Sequence, residues 1–111
     1  MSEDATVKLP RVPVVGDVVV YTKRCTPHTG PAIGGVLQAH AALILRSDVN
    51  EAVASLRGHV PDAYNVSLKV FDHNGETYFM RTVPFTPAAP GSPEAEGRWA
   101  WRRAGERSIT L

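Results

Sequence analysis

The residues best suited to chemistry lie near the C-terminus, in Arg98-Trp99-Ala100-Trp101-Arg102-Arg103. Residues two apart on an extended strand point the same way, so Trp99 and Trp101 present both rings on one side. Aromatic rings flanked by guanidinium groups can stack a base and hold a phosphate. The more common arrangement is that such a pair fills the core, because tryptophan is costly to leave in water. Arg24, Arg46 and Arg81 fall at predicted strand ends beside loops. If they converge, bidentate guanidinium contacts would hold a phosphate or carboxylate; if they do not, they are solvated surface charges. The candidate ligand-binding set is therefore Trp99, Trp101, Arg98, Arg102, Arg24, Arg46 and Arg81.

No spacing in the chain predicts catalysis. Glu94 and Glu96 sit in a Pro/Gly-rich stretch that would not hold an acid–base pair rigidly, and no nucleophile stands at a supported distance from a base. Cys25 and His28 have a Cys-x-x-His spacing, but no second Cys/His pair follows closely, and His40, His59 and His73 are dispersed. No metal or cofactor is expected. The glycines of Thr29-Gly30-Pro31-Ala32-Ile33-Gly34-Gly35 lack the Gly-Lys-Ser/Thr of a P-loop and read as a connector.

The elements that must position these residues are mostly strands. Residues 1–10 read as a flexible N-terminal arm, and 104–111 as a polar tail around a single domain spanning 11–103. Gly16–Thr22 is the first predicted strand, residues 23–38 a long loop, and His40–Arg46 a second, apolar strand. A short helix over about 48–57 follows, with Asp48 as its cap, Val49, Ala52, Val53 and Leu56 on one face, and Gly58 as its stop. Tyr64–Val70 alternates apolar and polar residues, Asn74-Gly75 suits a two-residue turn, and Glu76–Val83 returns. Residues 84–97 read as a mobile loop, and Arg98–Arg102 as the last strand. This order suits a small five-stranded SH3-like barrel with one inserted helix, a mostly β fold.

The bulk numbers agree with a single ordinary domain. The 111 residues are 43% hydrophobic and 21% charged, enough for one modest core that self-association would supplement, so a homo-oligomer is expected. A net charge of +1 argues against a dedicated duplex nucleic-acid binder. The single cysteine permits no internal disulfide and suggests a reducing, cytosolic setting, and no apolar run is long enough to span a bilayer.

Asn65-Val66-Ser67-Leu68-Lys69-Val70-Phe71-Asp72-His73-Asn74-Gly75, Arg81-Thr82-Val83-Pro84 and Gly97-Arg98-Trp99-Ala100-Trp101 together resemble a family of small bacteriophage and prophage proteins. Those proteins share a Phe-Asp-x-Asn-Gly hairpin and a Gly-x-Trp-x-Trp-like final strand. The resemblance implies an SH3-like fold and a phage origin, and carries no activity. Gly16-Asp17-Val18-Val19 and Ala42-Leu43-Ile44-Leu45-Arg46-Ser47 echo the toxin endoribonucleases of toxin–antitoxin pairs, but His40-Ala41 stands where that family's catalytic Arg-Pro would be.

Three roles are consistent with these residues. The first is a non-enzymatic phage-type protein in the host cytoplasm that sequesters a small anionic, nucleotide-like ligand to blunt defence signalling. In the second, the partners are other phage proteins, and the chain decorates a capsid or joins head or tail components. The third is a toxin-like endoribonuclease.

Overall fold

Alternation and β-branching build the sheet, and the computed structural model describes residues 6–25, 35–103 and 105–110. Five strands form one antiparallel sheet in the order β5-β4-β3-β2-β6. They are β2 (Val18–Cys25), β3 (Val36–Val49), β4 (Tyr64–Phe71), β5 (Thr77–Pro84) and β6 (Trp99–Ala100). β1 (Thr6–Pro10) and β7 (Glu106–Thr110) pair separately as a two-stranded ribbon. The fold is mostly β.

The sheet curls without closing into a barrel. The register slips by one residue on β3 between Ile44 and Arg46, and again where β4 meets β5 between Val66 and Leu68. Both irregularities flank Ser67, so the sheet bends at one level, as bulges make it do. Thr82, in the second of them, has a φ of 53°, a left-handed conformation that turns the end of β5. The chain beyond β5 then reaches the far edge at Phe85, which bridges Trp99, and the Thr86 amide donates to the Trp99 carbonyl at 2.9 Å. The opposite edges thus meet at an isolated bridge and not along a ladder.

One face of the curled sheet forms the core. Val19 and Tyr21 of β2, Ala42 and Ile44 of β3, Val66, Leu68 and Val70 of β4, Val83 of β5 and Trp99 of β6 pack there. Tyr78, Met80, Phe85 and Trp101 close around them. The expected mobile loop after Pro84 is pinned to β2. Thr22, itself buried, accepts at Oγ1 from the Gly91 amide at 3.0 Å and at its carbonyl from the Gly97 amide at 2.8 Å.

Several sequence expectations need correction. The helix, α1, spans Glu51–Arg57, and its cap is Asn50, whose Oδ1 accepts from the Val53 amide. Asp48 cannot serve as the cap because β3 carries it onward opposite Asn65 and its carboxylate is taken by Arg46. The buried helical residue is Ala54, while Leu56 is 86% exposed. The hairpin turn holds three residues, not two. The Asp72 amide donates to the Glu76 carbonyl and Gly75 alone takes a positive φ, 88°, so Asp72 keeps its place in line with β4. The supposed arm and tail pair with each other across the whole length of the chain, from Thr6 opposite Thr110 to Pro10 opposite Glu106. The long loop is shorter than predicted because β2 runs to Cys25 and β3 starts at Val36; His28 and the glycines at 30 and 34 lie outside the described residues.

Candidate functional site

Strand β2 runs the length of the inner face and has a different chemical neighbourhood at each end. At its Val18 end, Trp99 lies fully buried, so no face of its ring is open to a ligand. The expected stacking platform of two tryptophans is therefore corrected to one. Trp101 packs edge-on against Trp99 with ring centres 5.0 Å apart, and the Arg11 guanidinium carbon sits 4.7 Å over its ring. A cleft of about 250 Å³ lies between the proline-rich chain at Thr86–Pro90 and Trp101, Arg103 and Gly105. Trp101 Nε1 is buried and has no hydrogen-bond partner among the described residues. It faces Gly105, where an added Cβ would overlap the Cδ1 and Nε1 edge of the indole. A smaller recess beside it brings Arg11, Arg102 and Arg103 to the same tryptophan.

The remaining arginines do not join this group. Arg24 pairs with Glu96 at 2.9 Å, Arg46 pairs with Asp48 at 2.9 Å, and Arg81 lies over Phe79. They belong to three different strands and each has a local partner, so the sequence-predicted convergence is not formed. Arg98 is exposed just before β6, where its carbonyl faces the Thr22 amide. Arg103, on the cleft, and Arg11, in the smaller recess with its guanidinium paired to Asp17, lie outside the candidate set. A larger groove, about 550 Å³, runs beside the ribbon along Leu9, Pro10, Arg11 and His59, but its lining contains none of the buried unpartnered donors among the described residues.

At the Cys25 end the inner face changes from apolar to polar. The alternation that buries Val19 and Tyr21 also turns Lys23 and Cys25 inward; on β3 it takes Ile44 and Ala42 to His40 and Gln38. On β4 it runs through Val66, Leu68 and Val70 to Asp72 just past the strand end. Lys23 Nζ donates to Asp72 Oδ2 at 3.1 Å and stands 4.6 Å over the Tyr78 ring. Cys25 Sγ lies 3.7 Å from His40 Nε2, and the His40 and His73 rings are 5.9 Å apart. Gln38 Oε1, Asp72 Oδ1 and Tyr78 OH are buried here without a hydrogen-bond partner among the described residues. Asp72 Oδ1 does approach His73 Nδ1 to 2.8 Å, close in distance but without hydrogen-bond alignment. The sequence expectation of dispersed histidines is corrected here, because His40 and His73 come together beside Asp72.

The Lys23–Asp72 pair fixes a pH response. The hydrogen bond from Lys23 holds the Asp72 carboxyl below its ordinary 3.8, and the same bond holds Lys23 above its ordinary 10.5. Burial pushes the Tyr78 phenol up, with Lys23 opposing it. Folded Asp72 releases its proton more readily than unfolded Asp72, so its contribution is present above about 3.8 and is lost as pH falls through the lower folded value. For Lys23 the contribution is present below 10.5 and is lost as pH rises through the higher folded value. Urea denaturation on both sides of pH 3.8 should show Asp72→Asn losing less stability on acidification than the wild type. Equal acid slopes in the two proteins would refute this assignment.

No protein family, curated protein or solved structure compared with the chain matches it.

Proposed function

We propose that the chain is a non-enzymatic binding protein that holds a small anionic ligand in the cleft between Thr86–Pro90 and Trp101–Gly105. The observation that carries this reading is the donor set. Trp101 and Arg103 line the cleft, and Arg11 and Arg102 come beside the same ring. A site that offers hydrogen-bond donors and positive charge, with an aromatic wall, favours a phosphate or carboxylate attached to a flat group. The cleft volume of about 250 Å³ suits the anionic part of a nucleotide better than a whole one. The phage resemblance adds a biological setting, in which such a ligand is sequestered to blunt a host signal.

Thermal-shift and calorimetric titrations with cyclic nucleotides, ADP-ribose-type nucleotides and inorganic phosphate test the reading. At least one should raise the melting temperature, and Arg103→Ala should weaken its binding by about tenfold or more, the usual worth of a charged hydrogen bond. No shift with any of these anions sinks the proposal.

The shape of the molecule favours a second reading. The chain extends 65 Å in its longest dimension, with a two-stranded ribbon whose outer edges are unpaired among the described residues. Such a ribbon is marginally stable alone and can clasp a neighbour, as a capsid-decorating or tail-joining protein would. Stoichiometric presence in purified particles, found by mass spectrometry, would favour that role over sequestration.

A further inference from the structure

We infer that His40, Asp72 and His73 form a binding site for a zinc-type divalent cation, at the end of β2 opposite the anion cleft. The ligating atoms of these three residues lie within 4.8 Å of one another. A bound ion at about 2.0–2.2 Å from each donor needs a comparable but tighter triangle.

Three further observations point to a cation. His40 is only 5% exposed, so its imidazole is held in place within the fold. Asp72 Oδ1 is buried with no hydrogen-bond partner among the described residues. His73 Nδ1 comes within 2.8 Å of that oxygen without aligning a hydrogen bond to it. Two electron-pair donors brought this close are what a shared metal ion reconciles.

The neighbouring residues already orient the donors. Lys23 takes Asp72 Oδ2 and so leaves Oδ1 as the free acceptor. Cys25 touches His40 Nε2 and steadies that ring. The three-residue hairpin loop keeps Asp72 in line with β4 and sets His73 directly after it. Partners of this kind fix the orientation of metal ligands. Two imidazoles and one carboxylate favour zinc, cobalt or nickel over calcium or magnesium, which prefer oxygen alone. Three protein ligands leave a coordination position open to water or an exogenous donor.

The test is a calorimetric titration of the full chain with zinc and, in parallel, a spectroscopic titration with cobalt. One equivalent should bind, zinc should displace cobalt, and the visible cobalt bands should report low coordination. His73 is exposed, so His73→Ala should fold normally and yet bind zinc at least tenfold more weakly. Asp72→Asn should weaken binding comparably while circular dichroism confirms its fold. No uptake by the wild type overturns the inference, and so does unchanged uptake by both variants. Phosphate or nucleotide binding at the Trp101 cleft should persist in chelator, which keeps this result separate from that of the anion site.

Discussion

Trp99→Ala should cost about 3–5 kcal/mol of folding stability, the range for deleting a buried large aromatic side chain. That loss would be a large part of a small domain's total of about 5–15 kcal/mol. The indole is fully buried and packs against Phe85 at 4.8 Å and Trp101 at 5.0 Å between ring centres. It also lies where the two edges of the sheet meet, because its backbone bridges Phe85 and accepts from the Thr86 amide. Removing the ring would leave a cavity and loosen the contact that keeps the sheet curled. Trp99→Phe is the informative control. It keeps an aromatic ring against Phe85 and removes an indole Nε1 that has no partner among the described residues. Its cost should be roughly a third of the alanine cost, since the lost volume is partly offset by the lost unpaired donor. Urea denaturation followed by circular dichroism measures both. A loss below about 1 kcal/mol for Trp99→Ala would show that the ring is not the plug of the core.

The parts of this fold that were legible in the sequence are those fixed by near neighbours. Alternation through Val66, Leu68 and Val70 predicted the inner face of β4, and Gly75 marked the turn after it. The length of that turn was not legible: Asn74-Gly75 fits a two-residue turn and a three-residue one alike, and the Asp72–Glu76 hydrogen bond decides between them. The β1–β7 ribbon was hidden because each strand is only five residues long and its partner lies at the other end of the chain. For the tryptophans, their shared side was readable but not their unequal burial. That depends on how the chain beyond β5 folds back over β6. The His40–Asp72–His73 group was missed for a related reason. The inward alternation of β3 and β4 does not end where their apolar residues do. Carried on, the same period places His40 after Ala42 and Ile44, and Asp72 after Leu68 and Val70, on one face of adjacent strands.

Gly105→Ala should be the most damaging single-methyl addition near the candidate cleft. The conformation of Gly105 is not the difficulty; the space is. A Cβ there would overlap the Trp101 indole at Cδ1 and Nε1. Its carbonyl also accepts from the Arg11 amide at 2.7 Å, which closes the base of the ribbon, so the backbone cannot retreat without breaking that bond. Either the indole turns away, losing the Arg11 stack and its edge contact with Trp99, or the chain moves. Overpacking of this kind costs about 1–3 kcal/mol. It should also change tryptophan emission and abolish any thermal shift given by an anion, because Trp101 and Gly105 both line the cleft. Gly75→Ala separates steric overlap from backbone strain. Gly75 has a φ of 88° but nothing within 4 Å of an added Cβ, so its cost is conformational alone. That variant should lose stability while keeping wild-type tryptophan emission and the wild-type anion response. If Gly105→Ala instead left both the emission and the anion response unchanged, the Trp101 edge would not be packed against Gly105, and the cleft would lose the wall on which anion binding depends.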